Sequence, residues 1–180
     1  GARTDWSLDP ASGRHWPRDR FCFDVGRRHD DGAGDVKLAW ELSRLQHLQL
    51  LALDAHVNAN AASRAACIDD LARWISANPP YLGLAYASGI ELSTRVVSTL
   101  VVTGLLGPAT LPASLTAQVW DMLQAHGAWL ARYPSLYSSA NNHLLAEAVG
   151  LYLIGSLATA LPDAARWRDW GQRCIEREAA

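Results

Sequence analysis

Residues 142–159 constrain the fold more than any other stretch, because they are apolar at almost every position. Between Leu144 and Ala158 the only charged side chain is Glu147. A helix that is apolar nearly all round is a buried helix. The pattern therefore predicts a buried helix over about 139–160, with the rest of the chain packed around it.

This helix begins with polar side chains. Asn141, Asn142 and His143 directly precede the apolar run. Burying such groups without partners costs about 1–3 kcal/mol each. At 3.6 residues per turn, His143 and Glu147 lie on one stripe of the helix and Asn142 lies on the next. We therefore predict that these groups lie at the mouth of a cavity and form the functional site.

The rest of the chain from Asp35 onward also has helical patterning, and no strand-like alternation of useful length occurs. Asp35 is suited to cap the first helix, while Asn78-Pro79-Pro80 and Gly107-Pro108 end later ones. Short loops between helices of similar length imply antiparallel hairpins. Besides 139–160, the predicted helices are 36–57, 61–76, 88–106, 112–132 and 162–178.

Residues 1–34 are rich in turn signals and are predicted to be a lead-in arm. Phe21 and Phe23 within it either form a short strand or pin the arm to the core. Residues 35–180 form the helical domain, and 180 residues are enough for one hydrophobic core. The chain begins with glycine, and its only methionine is Met122. It is therefore expected to be a processed form or a piece of a longer protein.

Composition narrows the possible functions. A formal net charge of -2 with 49% hydrophobic residues indicates neither disorder nor a nucleic-acid-binding surface. The three cysteines have no metal-ligand spacing and are expected to be buried or free thiols. The eight tryptophans are expected mainly in the core, with platforms for sugar rings as the alternative. The apolar run 96–106 is shorter than the ~20 residues of a membrane span.

Charged residues inside otherwise apolar helices recur in alternate helices. Glu41, Arg44 and His47 lie in the first helix, and Glu91 and Arg95 lie in the third. They form either ion pairs on helix surfaces or the lining of a cavity. If alternate helices form an inner ring, these groups and the polar start of the fifth helix converge on one cleft. The alternative is a plain bundle with scattered ion pairs.

Taken together, these segments resemble the helical N-terminal domain of the heparinase II/III-like polysaccharide lyases, which include alginate lyase-like toroids. The likeness covers nearly the whole chain, and it depends on the order and spacing of short motifs. The motifs are DVKLAWELSRLQHL at 35–48, NP at 78–79 with Gly83, YASGIE at 86–91 with Arg95, HGAWL at 126–130, SANNHL at 139–144, GLYL at 150–153, and LP at 161–162 with Trp167.

The resemblance implies an all-α fold, an incomplete α/α toroid of antiparallel helical hairpins. It also implies cleavage of an acidic, uronate-containing polysaccharide by β-elimination, with no cofactor. Asn142 would neutralise the uronate carboxylate and His143 would assist proton transfer. Amide and imidazole donors aimed at a carboxylate lower the barrier as its charge develops. Glu147 would fix the His143 tautomer, unless it is a carboxylate that faces solvent.

The same likeness places further residues in the cleft. Arg95 or Arg44 would bind a substrate carboxylate through two hydrogen bonds. Tyr86 stands where the family usually has tryptophan, and it would keep a stacking face of different size. The full set of predicted substrate-binding residues is Glu41, Arg44, His47, Tyr86, Glu91, Arg95, Asn141 and Glu147.

The family's catalytic tyrosine, second histidine and sheet-rich region have no counterpart here, and Tyr152 is a poor substitute because it lies in a core-like run. The chain is therefore expected to carry half of a catalytic set. The remainder of the polypeptide or a second copy would cover an open apolar edge, in a bacterial periplasm or outside the cell. A non-catalytic glycan-binding or scaffolding module is the main alternative. A metal site at His143 and Glu147 is a weaker one, because two ligands are too few.

Overall fold

A computed structural model describes residues 4–26, 35–137 and 142–178, and the fold of these residues is all-α. Seven α-helices are present in them, with two short 3-10 helices at Leu84–Tyr86 and Pro108–Thr110. The α-helices are α1 (Val36–Ser43), α2 (Gln46–Val57), α3 (Ala61–Ala77), α4 (Gly89–Leu106), α5 (Ala113–Arg132), α6 (Asn142–Leu157) and α7 (Ala164–Glu178).

The first predicted helix, 36–57, is wrong as a single element, because the chain breaks between α1 and α2. Asp35 caps α1 as expected, with its side chain accepting a hydrogen bond from the Lys37 amide. Leu45 then adopts a left-handed conformation with φ 59° and is almost completely buried. The Ser43 carbonyl accepts a hydrogen bond of 2.7 Å from Nε of Arg95, a partner from α4 that lies outside the helix. This contact satisfies a carbonyl that a continuous helix would have bonded internally.

The other predicted helices agree with the structure within a few residues. The start predicted at 139 for the fifth helix lies outside the described residues, and its end is Leu157 rather than residue 160. The last helix begins at Ala164, two residues later than predicted. Helix ends fray and depend on local capping, so differences of this size are ordinary.

Alternate helices form an inner layer, which is one of the two arrangements that the sequence pattern left open. Helix α4 packs between α2 and α6, while α3 covers α2 and α7 covers α6. The α6–α7 pair is especially close. A Cβ atom on Gly155 would lie 2.3 Å from the Ala164 carbonyl oxygen. These helix pairs around a shared inner layer agree with the all-α class that the resemblance implied.

The arm, residues 4–26, is pinned to the helices and forms no extended strand. Phe21 makes a single antiparallel bridge with Leu82, and Phe23 packs on Trp129 and Tyr133. Five tryptophans are buried and three are partly buried, and all three cysteines are buried free thiols, as expected. The five buried tryptophans are Trp6, Trp16, Trp74, Trp129 and Trp167.

Helix α4 is long and apolar enough to cross a membrane when only length and composition are considered. It includes the apolar run 96–106 and the seven residues before it. More than half of it is buried inside the protein, between α2 and α6. This burial is typical of the core helix of a folded domain.

Candidate functional site

A cleft of about 580 Å³ opens where α1, the first turn of α4 and the start of α6 meet. Its fourth side is formed by residues 133–137, which follow α5 and are called the cleft loop below. The lining residues are Phe23, Lys37, Trp40, Arg44, Ala87, Ser88, Gly89, Ile90, Glu91, Trp129, Tyr133, Pro134, Ser135, Leu136, Tyr137 and His143.

Aromatic rings make up much of the cleft wall. Phe23 packs edge-on against Tyr133 with ring centroids 5.0 Å apart, and Trp129 lies 5.4 Å from Tyr133. Trp40 is held by a hydrogen bond of 3.0 Å from its indole nitrogen to the Leu84 carbonyl. Tyr137 is 95% exposed at the rim. Flat apolar faces with polar edges suit the faces of sugar rings.

Arg44 and Glu91 join α1 to α4 across the cleft. Nε of Arg44 donates to Oε2 of Glu91 at 2.8 Å, and a terminal nitrogen donates to Oε1 at 2.9 Å. Glu91 is buried, and its hydrogen bonds raise the pKa of the Arg44 guanidinium. Arg44 therefore binds a carboxylate through two hydrogen bonds as predicted, but the carboxylate belongs to the protein. Glu41 is largely exposed, 3.9 Å from Arg44, and is not in the lining.

Arg95 and Tyr86 do not line the cleft, which corrects the expectation that they would. Arg95 is fully buried, and its guanidinium donates to the Ser43 carbonyl and contacts Nε2 of His126 at 3.0 Å. It also stacks 4.4 Å over the Trp74 ring. Tyr86 is buried beside His126, with ring centroids 5.1 Å apart. These side chains form a buried polar cluster behind the cleft.

The electrostatics of this buried cluster follow from the lack of solvent. Burial lowers the pKa of the Arg95 guanidinium to about 10 and raises that of the Tyr86 hydroxyl. Burial and the charge of Arg95 together hold the pKa of His126 well below its usual value. The neutral His126 ring donates from Nδ1 to the Met122 carbonyl at 2.8 Å, which leaves Nε2 to accept from Arg95.

His143, in the first turn of α6, lines the cleft as the sequence predicted. Asn142 is the first residue of α6 and is exposed beside the cleft, although it is not in the lining. Asn141 lies outside the described residues. The catalytic roles of Asn142 and His143 stay predictions.

Glu147 is fully buried, so its carboxylate neither faces solvent nor lines the cleft. One carboxylate oxygen accepts from the Ser135 amide and the other from the Ser135 hydroxyl, each at 2.7 Å. Burial raises the pKa of Glu147, while these hydrogen bonds and the nearby His143 oppose the shift. The structure thus joins Glu147 to the cleft loop, a contact that the sequence did not predict.

Two further candidates lie elsewhere. His47 stacks on Trp6 of the arm at 6.2 Å and is 4.0 Å from Asp70, away from the cleft. Tyr152 lies in α6, and its backbone contacts Gly171 of α7. Within the part of the chain that the structure describes, no three His, Cys, Asp or Glu side chains form a metal-binding group.

The sequence interpretation missed the cleft loop and Lys37. Lys37 is the only lysine in the chain and lies in the first turn of α1, facing the cleft. Tyr133, Ser135 and Tyr137 follow α5 immediately before the polar start of α6. A short connection must bring the chain from the end of α5 to the polar start of α6. The sequence therefore contained a signal that residues 133–137 lie near the predicted site.

Comparison with known proteins decides the family. The family model described as Heparinase II/III N-terminus matches residues 3–180. The chain belongs to this family. No curated protein and no solved structure matches it. The match supports a heparinase II/III-like N-terminal domain, and the all-helical fold agrees with that assignment.

Proposed function

We propose that this chain is the N-terminal helical part of a lyase that cleaves uronic-acid-containing glycans by β-elimination. The supporting observation is the cleft itself, in which His143 faces aromatic walls and the basic side chains Lys37 and Arg44. Asn142 precedes His143 at the same helix end. Family membership supports a polysaccharide as the substrate.

The chemistry assigns a role to each group. A base removes the proton on the carbon next to the uronate carboxylate, the freed electron pair forms a carbon–carbon double bond, and the neighbouring glycosidic C–O bond breaks. The leaving oxygen takes up a proton. Negative charge develops on the carboxylate, where the Asn142 amide donates without titrating. The His143 imidazole assists the proton transfer.

Substrate binding is assigned to the cleft walls. The charge of Arg44 is largely balanced by Glu91, so Lys37 supplies the less compensated positive charge toward an acidic glycan. Tyr137 and Trp40 offer ring faces to sugars. Such contacts position the chain so that the reacting carbon lies beside His143.

The decisive test is Asn142→Ala in the lyase that contains this chain. We expect turnover of uronate oligosaccharides, followed by the ultraviolet absorbance of the unsaturated product, to fall by about 100-fold or more. Gln172→Ala on the outer surface of α7 is the matched control and should leave turnover unchanged. Near-normal activity of the Asn142 variant would overturn the assignment.

A non-catalytic glycan-binding or scaffolding module is the second candidate. The exposed ring of Tyr137 and the partly buried Trp40 favour it, because they suit binding and require no chemistry. This function predicts that uronate oligosaccharides bind without any new ultraviolet absorbance. Appearance of that absorbance in the pure protein would eliminate it.

We also propose that a partner covers the exposed edge of the domain at α2, either the remainder of the polypeptide or a second copy, in a bacterial periplasm or outside the cell. Leu50, Leu53 and Val57 form an exposed apolar stripe there. Exposed apolar patches mark contacts or aggregation. Light scattering of the isolated chain should therefore show association, and a monomer at high concentration would contradict this.

A further inference from the structure

The carboxylate of Glu147 has an unusual set of neighbours for a charged group in an apolar helix. Both of its oxygens are bound by Ser135, one by the backbone amide and one by the hydroxyl, each at 2.7 Å. The side chain is fully buried. Burying a charge is expensive unless hydrogen bonds compensate it. Among the described residues, the hydrogen bonds to this carboxylate come from Ser135, in the middle of the cleft loop.

The carboxylate also lies against Gly89, the first residue of α4. A Cβ atom added to Gly89 would lie 2.1 Å from Oε1 of Glu147 and 2.7 Å from its carboxyl carbon. Only glycine therefore leaves room for the carboxylate at this point. The first turn of a helix carries partial positive charge on its free amide groups, which favours a nearby carboxylate.

Three walls of the cleft meet at this carboxylate. The cleft loop is bonded to it, and Gly89 in the first turn of α4 lies against it. His143 stands one helical turn before Glu147 on α6. A single buried group on the same helix as His143 thus contacts both the cleft loop and the first turn of α4.

We propose that Glu147 is a positioning residue that holds the cleft loop against α4 and thereby sets the width of the glycan site beside His143. It does not touch the glycan, because it is buried and outside the cleft lining. The loop and the helix end are otherwise separate elements, and the carboxylate links them. The positioning role for glycan binding rests on the proposed function, whereas the link between the loop and α4 does not.

Three variants test the link. Glu147→Gln keeps the shape but places an amide NH₂ where an oxygen accepted from Ser135. Ser135→Ala removes only the hydroxyl bond, so it is the milder change if Glu147→Gln folds poorly. Gly89→Ala pushes on the carboxylate from the α4 side. Gly104→Ala is the matched control, since it lies on the same helix with nothing within 4 Å of its added Cβ.

Two measurements on the purified chain test separately whether Glu147 holds the cleft loop and whether this affects glycan binding. Hydrogen exchange of the Ser135 amide should become about tenfold to hundredfold faster in Glu147→Gln, because a charge-assisted hydrogen bond is lost. The affinity for a uronate tetrasaccharide, measured by calorimetry, should fall by about tenfold in the same variant. Ser135→Ala and Gly89→Ala should change both in the same direction, and Gly104→Ala should change neither.

Unchanged hydrogen exchange of the Ser135 amide in Glu147→Gln and Ser135→Ala would show that Glu147 does not hold the cleft loop. Faster exchange with unaltered affinity would overturn the positioning role and leave Glu147 as a structural group. If the unaltered chain binds no uronate oligosaccharide, the proposed function fails, and the exchange data still decide whether Glu147 holds the loop.

Discussion

Glu91 and Arg95 lie four residues apart on α4, yet they belong to different regions of the molecule. Glu91 is at the cleft, where both of its carboxylate oxygens are bound by Arg44 from α1. Arg95 is behind the cleft, where it contacts the Ser43 carbonyl, His126 and the Trp74 ring. One charged side chain therefore shapes the site, and the other stabilises the core.

This difference depends on the break in the helix between α1 and α2. Because α1 ends at Ser43, its last carbonyl is free to accept from Arg95. The next residue, Arg44, then reaches Glu91 on the cleft side. Two adjacent residues at the end of α1, Ser43 and the capping residue Arg44, thus hold two residues of α4 that are one turn apart. The buried contact should carry more stability than the cleft contact, and the following predictions test this order.

The largest effect is expected for Arg95→Met. The change leaves the Ser43 carbonyl and Nε2 of His126 without their donor inside the core, so the free energy of unfolding should fall by about 3–5 kcal/mol. Urea denaturation monitored by tryptophan fluorescence measures this. A loss below about 1 kcal/mol would show that the buried cluster is not the stronger of the two regions.

Arg44→Ala should destabilise the protein by about 2–3 kcal/mol, because it leaves the buried Glu91 carboxylate without its partner. Glu91→Gln added to it should restore part of the loss, since the unpaired charge is then gone. The double-mutant cycle over Arg44 and Glu91 should give a coupling energy of about 1–3 kcal/mol. A coupling near zero would mean that the two hydrogen bonds do not contribute to stability.

The pH dependence of stability should report on His126. Burial, followed by the charge of Arg95, lowers its folded pKa, so below the unfolded pKa of about 6.5 only the unfolded chain takes up the proton. The stability is complete above that pH and falls as the pH drops, with a slope of up to about 1.4 kcal/mol per unit.

His126→Gln should flatten this slope relative to the unaltered protein. His47→Gln is a useful comparison, because burial also lowers the pKa of His47 but the side chain is partly exposed and Asp70 opposes the shift. It should remove a smaller part of the slope. An unchanged slope in His126→Gln would contradict a neutral, buried His126.

The smallest effect is expected away from both regions, at Gly104 in the last turns of α4. An added Cβ there meets nothing within 4 Å. Gly104→Ala should therefore raise the free energy of unfolding by about 0.5–1 kcal/mol through the helix preference of alanine alone. Thermal unfolding checks this, and destabilisation would mean that this end of α4 is packed more tightly than the structure shows.

Much of the fold was predictable because helices leave local signatures. The apolar run after His143 predicted α6, and Asp35 predicted the start of α1. Helix α6 is not buried all round as expected, because Leu145, Tyr152 and Leu157 are exposed. The cleft position of His143 followed from polar residues at the start of an apolar helix. The recurrence of charged residues in alternate helices left two arrangements open, and the structure has the one with an inner layer, formed by α2, α4 and α6.

The break at Leu45 was not predictable, because leucine rarely adopts a left-handed conformation and the partner of Ser43 lies 52 residues away. The sequence also could not show that Glu91 faces the cleft while Arg95 lies in the core. Spacing places both on one side of α4, but only the neighbouring helices determine which faces the cleft. The contact between Glu147 and Ser135 joins two elements, and neither segment contains a signal for the other.

Sequence by itself determined the all-α class, the places where most helices begin and end, and the membership in the heparinase II/III N-terminus family. Hydrophobic periodicity, capping residues and ordered motifs are properties of neighbouring residues, so they can be read along the chain. Only the tertiary structure decided which buried charges are paired and which side chains reach the cleft. Those outcomes depend on distances between helices far apart in sequence, where a shift of one turn moves a side chain from the site into the core.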